Sequence, residues 1–162
     1  DIQFVSRYHS DPWWGRGEAI SFTALPRTAE TKLGRLQNIS VENVSGKAEN
    51  SIRVNGSERS RIENVRFAGV SVTFSRWTKY PGGVYDNRPT KVLPPIAPHE
   101  TDGFNFSHAG NITLINCRVR WNGKCPDYFG SALAAYEVED LRINGQLGPS
   151  AHPQQKPDVW IH

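Results

Sequence analysis

In four places the chain alternates apolar and polar residues between corner-type residues. The segments are Asn38-Ile39-Ser40-Val41-Glu42-Asn43, Asn64-Val65-Arg66-Phe67-Ala68-Gly69, Asn111-Ile112-Thr113-Leu114-Ile115-Asn116 and Asp140-Leu141-Arg142-Ile143-Asn144-Gly145. A period of two with β-branched residues predicts a short strand with one buried face. Asn, Asp or Gly at both ends suits tight corners, because Asn and Gly tolerate the left-handed backbone region. The next residue is apolar in three copies (Val44, Val70, Cys117), and Gln146 breaks the pattern in the fourth. A second strand precedes each copy: Glu18–Phe22, Asn50–Val54, Asp102–Phe106 and Ser131–Ala135.

The copies recur at spacings of 26, 47 and 29 residues. A unit that cannot bury its own apolar face must stack on its neighbours. Short strands with no helical periodicity between them predict an all-β fold, a parallel β-helix of four to five coils in one domain, 1–162. An antiparallel sandwich or jelly roll also uses many short strands, but does not require the same template in each pair. Stacked coils do require it, since equivalent residues lie ~4.8 Å apart, and the asparagines could then form a hydrogen-bonded ladder. The long gap holds an insertion, 76–100, whose prolines preclude a central strand. The segment 149–162 reads as an irregular tail.

Composition narrows the classes. The chain has 162 residues, a net charge of +3, two Cys and no Met. No apolar run reaches the length of a membrane span, so no membrane partner is expected. Two cysteines exclude a disulfide-dense scaffold and a four-cysteine zinc site. Cys117 reads as a buried core thiol, with a bridge to Cys125 not favoured. The five histidines form no ligand spacing, and there is no phosphate loop, nucleophile elbow or nucleic-acid motif, so neither a metal nor a cofactor nor a nucleic acid is expected. With no Met, Asp1 is not expected to be a translation start, and upstream coils are expected on the same polypeptide or a partner chain.

Gly17-Glu18-Ala19-Ile20-Ser21-Phe22 resembles the segment around the Gly-His-Gly motif of polygalacturonase-like glycoside hydrolases, family 28. Leu36–Val44 resembles that family's next coil corner, and Ser51-Ile52-Arg53-Val54-Asn55 the strand carrying its Arg-Ile-Lys motif, 35 residues after Glu18. The resemblance covers residues 1 to about 75 and extends beyond only as repeat texture. It implies a right-handed single-stranded parallel β-helix, here the C-terminal part of a larger one, that is secreted or periplasmic and hydrolyses glycosidic bonds in pectic polysaccharides. The family's catalytic aspartates would fall just ahead of Asp1. Glu18 replaces the motif histidine and Asn55 the motif lysine, while Arg53 is retained. Loss of that cation points toward a different, neutral or branched, pectic sugar.

The strand template puts Glu18, Asn50, Asp102 and Ser131 in one column and Ser21, Arg53, Asn105 and Ala134 in another, both facing an outer groove. Inverting hydrolysis needs two carboxyl groups ~6.5–9.5 Å apart. Two strand steps would set Glu18 and Asp102 at about that distance, against the plainer reading of solvated acids paired with Arg16, Arg53 or His99. Trp13, Trp14 and Arg16 are candidate sugar contacts, because indole rings pack on sugar C–H faces and guanidinium groups bind carboxylates and hydroxyls. Arg53, Asn55, His99 and Asn105 complete the expected substrate-binding set. A non-catalytic glycan-binding or structural module is the alternative, and a calcium-dependent pectate lyase a third class whose acids are not evident.

Overall fold

The computed structural model describes residues 1–9 and 15–162. Thirteen strands are described: β1 (Ile2–Ser6), β2 (Glu18–Thr23), β3 (Leu36–Glu42), β4 (Val44–Ala48), β5 (Asn50–Asn55), β6 (Ile62–Ala68), β7 (Ser71–Phe74), β8 (Val84–Asp86), β9 (Ile96–Pro98), β10 (Phe104–Ile115), β11 (Arg118–Trp121), β12 (Leu133–Asn144) and β13 (Val159–Ile161). One sheet has the order β1-β4-β7-β11, and a larger one runs β13-β12-β10-β5-β2, with β3 paired to β6 and β6 to β10. Every pairing in these two sheets is parallel. β8 and β9 form a separate antiparallel pair.

The template explains the larger sheet. Ile39, Val65, Ile112 and Leu141 pair in one register column, and Val41, Phe67, Leu114 and Ile143 in another. The inner members Val65, Ile112, Phe67 and Leu114 are fully buried, each contributing roughly 1.5–3 kcal/mol relative to exposure. Phe67 packs edge-on against Phe104 at 5.6 Å and stacks on Phe106 at 6.0 Å. The twelve-residue β10 pairs with β5 through its first half and β6 through its second.

The corners adopt the conformation their residue types allow. Asn38, Asn64, Asn111 and Asp140 have φ of 60°, 57°, 50° and 51°, and Asn43, Gly69, Asn116 and Gly145 at the other end are also positive. Most L-residues pay about 1–2 kcal/mol there, which Asn offsets by local hydrogen bonding. The asparagine ladder forms: Asn64 Nδ2 donates to Asn38 Oδ1 at 3.0 Å, and Asn111 Nδ2 to Asn64 Oδ1 at 2.6 Å.

The expected fold class is corrected. The described strands make a mixed arrangement of two parallel sheets and one antiparallel pair, and no strand pairing joins the sheets into a closed solenoid. A right-handed single-stranded parallel β-helix, the C-terminal part of a larger one, is therefore not the architecture described. The antiparallel element arises in the insertion, where proline-rich chain pairs with itself instead of entering a parallel sheet. The tail also differs from expectation. Val159–Ile161 adds to β12 as a parallel strand, and Lys156 Nζ donates to the Asp127 and Phe129 carbonyls.

Candidate functional site

The outward residues of the larger sheet supply the candidate chemistry. Ser21, Arg53, Asn105, Ala134 and Trp160 follow one another across β2, β5, β10, β12 and β13, beside Thr23, Asn55, Ser107 and Tyr136. The expected pairing of Ser21, Arg53, Asn105 and Ala134 is thus present, and Glu18 pairs with Asn50.

This face is not open along its length, because the insertion is seated on it. Asn50 Nδ2 donates to the Val84 carbonyl at 3.0 Å. Arg53 Nη2 donates to Asn87 Oδ1 at 2.7 Å, and its guanidinium lies 4.1 Å from the Tyr85 ring centroid. His99 stacks on the other face of this assembly, against Tyr85. Arg53 is 2% exposed. Burial lowers its pKa from the ordinary arginine value, opposed by Tyr85, Glu18 and Asp86; burial likewise raises that of Tyr85. The sequence placed Arg53 in a groove wall; it is instead the seat of the insertion.

A second buried group fixes the insertion's start. Glu49 accepts hydrogen bonds from the backbone amides of Tyr8, Trp77 and Thr78 and from the Thr78 hydroxyl, and pairs with Arg76 at 3.1 Å.

The candidate acids do not share an opening. Glu18 Oε2 accepts the Arg16 amide at 2.7 Å. Asp102 is 4% exposed; its Oδ1 accepts the Ser131 amide at 2.8 Å and its Oδ2 accepts Asn105 Nδ2 at 2.9 Å. Burial raises its pKa to about 6, against the lowering effect of those two hydrogen bonds. Asn50 is the partner of Glu18 across the strands, as the column expects. Burial holds His99 down at about 4, and its Nδ1 meets the Glu100 carbonyl. The Arg16 guanidinium lies 4.3 Å from the Tyr8 ring centroid. Trp13 and Trp14 lie outside the described residues.

An open groove begins where the insertion ends. A cleft of about 260 Å³ is lined by Asn55, Tyr85, Asn105, Ser107, Tyr136 and Trp160, with Ala134 between Asn105 and Trp160. It shares Asn55 and Ser107 with a cleft of about 360 Å³ walled by Leu25, Pro26, Val92 and Leu93, where Glu58 and Arg59 supply the charges. Leu25 links this to a smaller recess beside Arg27 and the Asp86–Arg88 ion pair. Of the expected binding residues, Asn55 and Asn105 meet in the groove; Arg16, Glu18, Arg53, His99 and Asp102 do not line it. Ser107, Tyr136 and Trp160 were missed, whereas Tyr85 belongs to the insertion's polar and aromatic residues that the sequence offers as a subsite wall. Ser107 and Tyr136 follow directly from extending the strand columns, whereas Trp160 sits in a segment without periodicity. Amides, a hydroxyl and ring faces along an elongated depression suit a ligand with many hydroxyls and apolar C–H faces.

Cys117 and Cys125 are both free thiols. Among the described residues, no three His, Cys, Asp or Glu side chains are grouped to hold a metal ion, and no helix is long and apolar enough to cross a membrane. No family model, curated protein or solved structure matches the chain.

Proposed function

We propose that the chain holds a pectin-type polysaccharide as the substrate-binding part of a polygalacturonase-like glycoside hydrolase. The carrying observation is the groove running from Trp160 past Asn105 and Asn55 to Leu25 and Arg59. The order and spacing of the motifs around Glu18 and Arg53 support the same reading. Glu18 and Asp102 take no acid–base role in it. Pectic polysaccharide is met in extracellular or periplasmic space, where this reading expects the chain to act.

The lining of the Asn105–Trp160 cleft, which carries no Asp or Glu among the described residues, favours a second reading, glycan binding without hydrolysis. Incubation with homogalacturonan and rhamnogalacturonan separates the two. New reducing ends without an ultraviolet-absorbing unsaturated product support hydrolysis. Retention of polysaccharide on immobilised protein with no new ends supports binding alone. An unsaturated product signifies elimination and overturns the hydrolase, and failure to retain either polysaccharide overturns both readings.

A further inference from the structure

The part of the groove between Tyr85 and Trp160 has a composition that selects among sugars. No Lys, Arg, His, Asp or Glu lines this cleft among the described residues. Arg53, the register neighbour of Asn105, is engaged by Asn87 and by the Tyr85 ring. Asn105 spends one of its two Nδ2 hydrogens on Asp102, which leaves it a neutral N–H and an amide oxygen to offer a hydroxyl, and no charge to offer a carboxylate. Withdrawing a carboxylate from water with only neutral donors and no cation to pair it costs several kcal/mol. A hydroxyl-bearing ring suffers no such loss.

The cleft also has a shaped end. Ala134 stands in the register column between Asn105 and Trp160. Its single methyl leaves a notch one residue wide, bounded by the Trp160 indole. Trp160 is 43% exposed, so ring surface remains for an apolar sugar face.

We infer that the notch over Ala134 binds a neutral glycosyl residue, stacked on Trp160 and hydrogen-bonded to Asn105 and Ser107, in preference to a uronate. This rests on the groove being a glycan site. Cationic Arg27, in the recess beyond Leu25, lies outside this segment.

The test is titration of the full chain with β-1,4-linked galactotetraose and, separately, tetragalacturonate, by calorimetry and indole fluorescence, at low salt and at about 0.3 M NaCl. The neutral tetramer should bind about tenfold tighter, with an affinity unchanged by salt. Trp160→Ala should weaken it about tenfold. Ala134→Leu, which fills the notch and leaves the indole in place, should do the same with no loss of thermal stability. Equal or tighter binding of tetragalacturonate, weakening with salt, overturns the neutral-sugar inference and leaves the glycan groove standing. Unchanged affinity in both variants overturns the placement at the notch. If neither tetramer binds and neither polysaccharide is retained, the glycan groove itself is rejected.

Discussion

The Arg53 guanidinium lies over the Tyr85 ring, 4.1 Å from its centroid, and donates to Asn87 Oδ1 at 2.7 Å. Sheet and insertion are thus joined through a buried cation. Asn87→Ala should cost about 1.5–3 kcal/mol, the range for a hydrogen bond to a charged group. Urea unfolding measures this directly; an unchanged midpoint and slope would show that the cation is satisfied without Asn87.

Glu49 is a harsher case. Its carboxylate is fully buried, paired with Arg76 and surrounded by donors. Glu49→Ala leaves Arg76 and three backbone amides without their acceptor, and should cost ~3–5 kcal/mol. Limited proteolysis of that variant should cut first within 76–100. Wild-type resistance throughout that segment would contradict the anchoring role.

Asp102 and His99 oppose each other in acid. Asp102 titrates near 6 when folded, above its ordinary value of 3.8. The native state then binds the extra proton, and the Asp102 contribution to stability falls as pH rises from about 4 to 6. His99 titrates near 4 when folded, below its ordinary 6.5, so its contribution falls as pH drops through the same range. Each amounts to roughly 3 kcal/mol from end to end, and the two nearly cancel. Relative to wild type, Asp102→Asn should lose stability on acidification from pH 6 to 4 and His99→Phe should gain it. Parallel curves for all three proteins, by urea unfolding at each pH, would refute the opposition.

The asparagine ladder separates backbone from side-chain effects. Asn64 has φ 57° and bonds to both Asn38 and Asn111. Asn64→Ala loses both bonds and strains the backbone. Asn64→Gly loses the bonds but tolerates the conformation, and should be more stable than Asn64→Ala by about 1 kcal/mol. Denaturant midpoints decide it, and an alanine variant as stable as the glycine one would show that the corner relaxes.

The repeat was legible because local chemistry sets it: each template copy ends in residues that tolerate positive φ, and alternation fixes which side faces the core. Register follows from the same alternation, which sets Arg53 beside Asn105. Four things were not legible. Closure of strands into one solenoid depends on how sheets meet, which a period-two pattern does not encode. The landing of Tyr85 and Asn87 on Arg53 is a contact between an aperiodic loop and a strand 34 residues away. Glu49 carried no signal, since its partners Tyr8, Trp77 and Thr78 lie in unrelated segments. The tail, proline- and glutamine-rich, gave no alternation to reveal that Val159–Ile161 pairs with β12 or that Trp160 bounds a cleft.

One carboxylate, Glu49, receives the amide of Tyr8 through Oε2 and that of Thr78 through Oε1. Displacement of that one carboxylate removes the acceptor of both amides at once. The segment around Tyr8 and the base of the insertion that roofs Arg53 therefore share a single anchor.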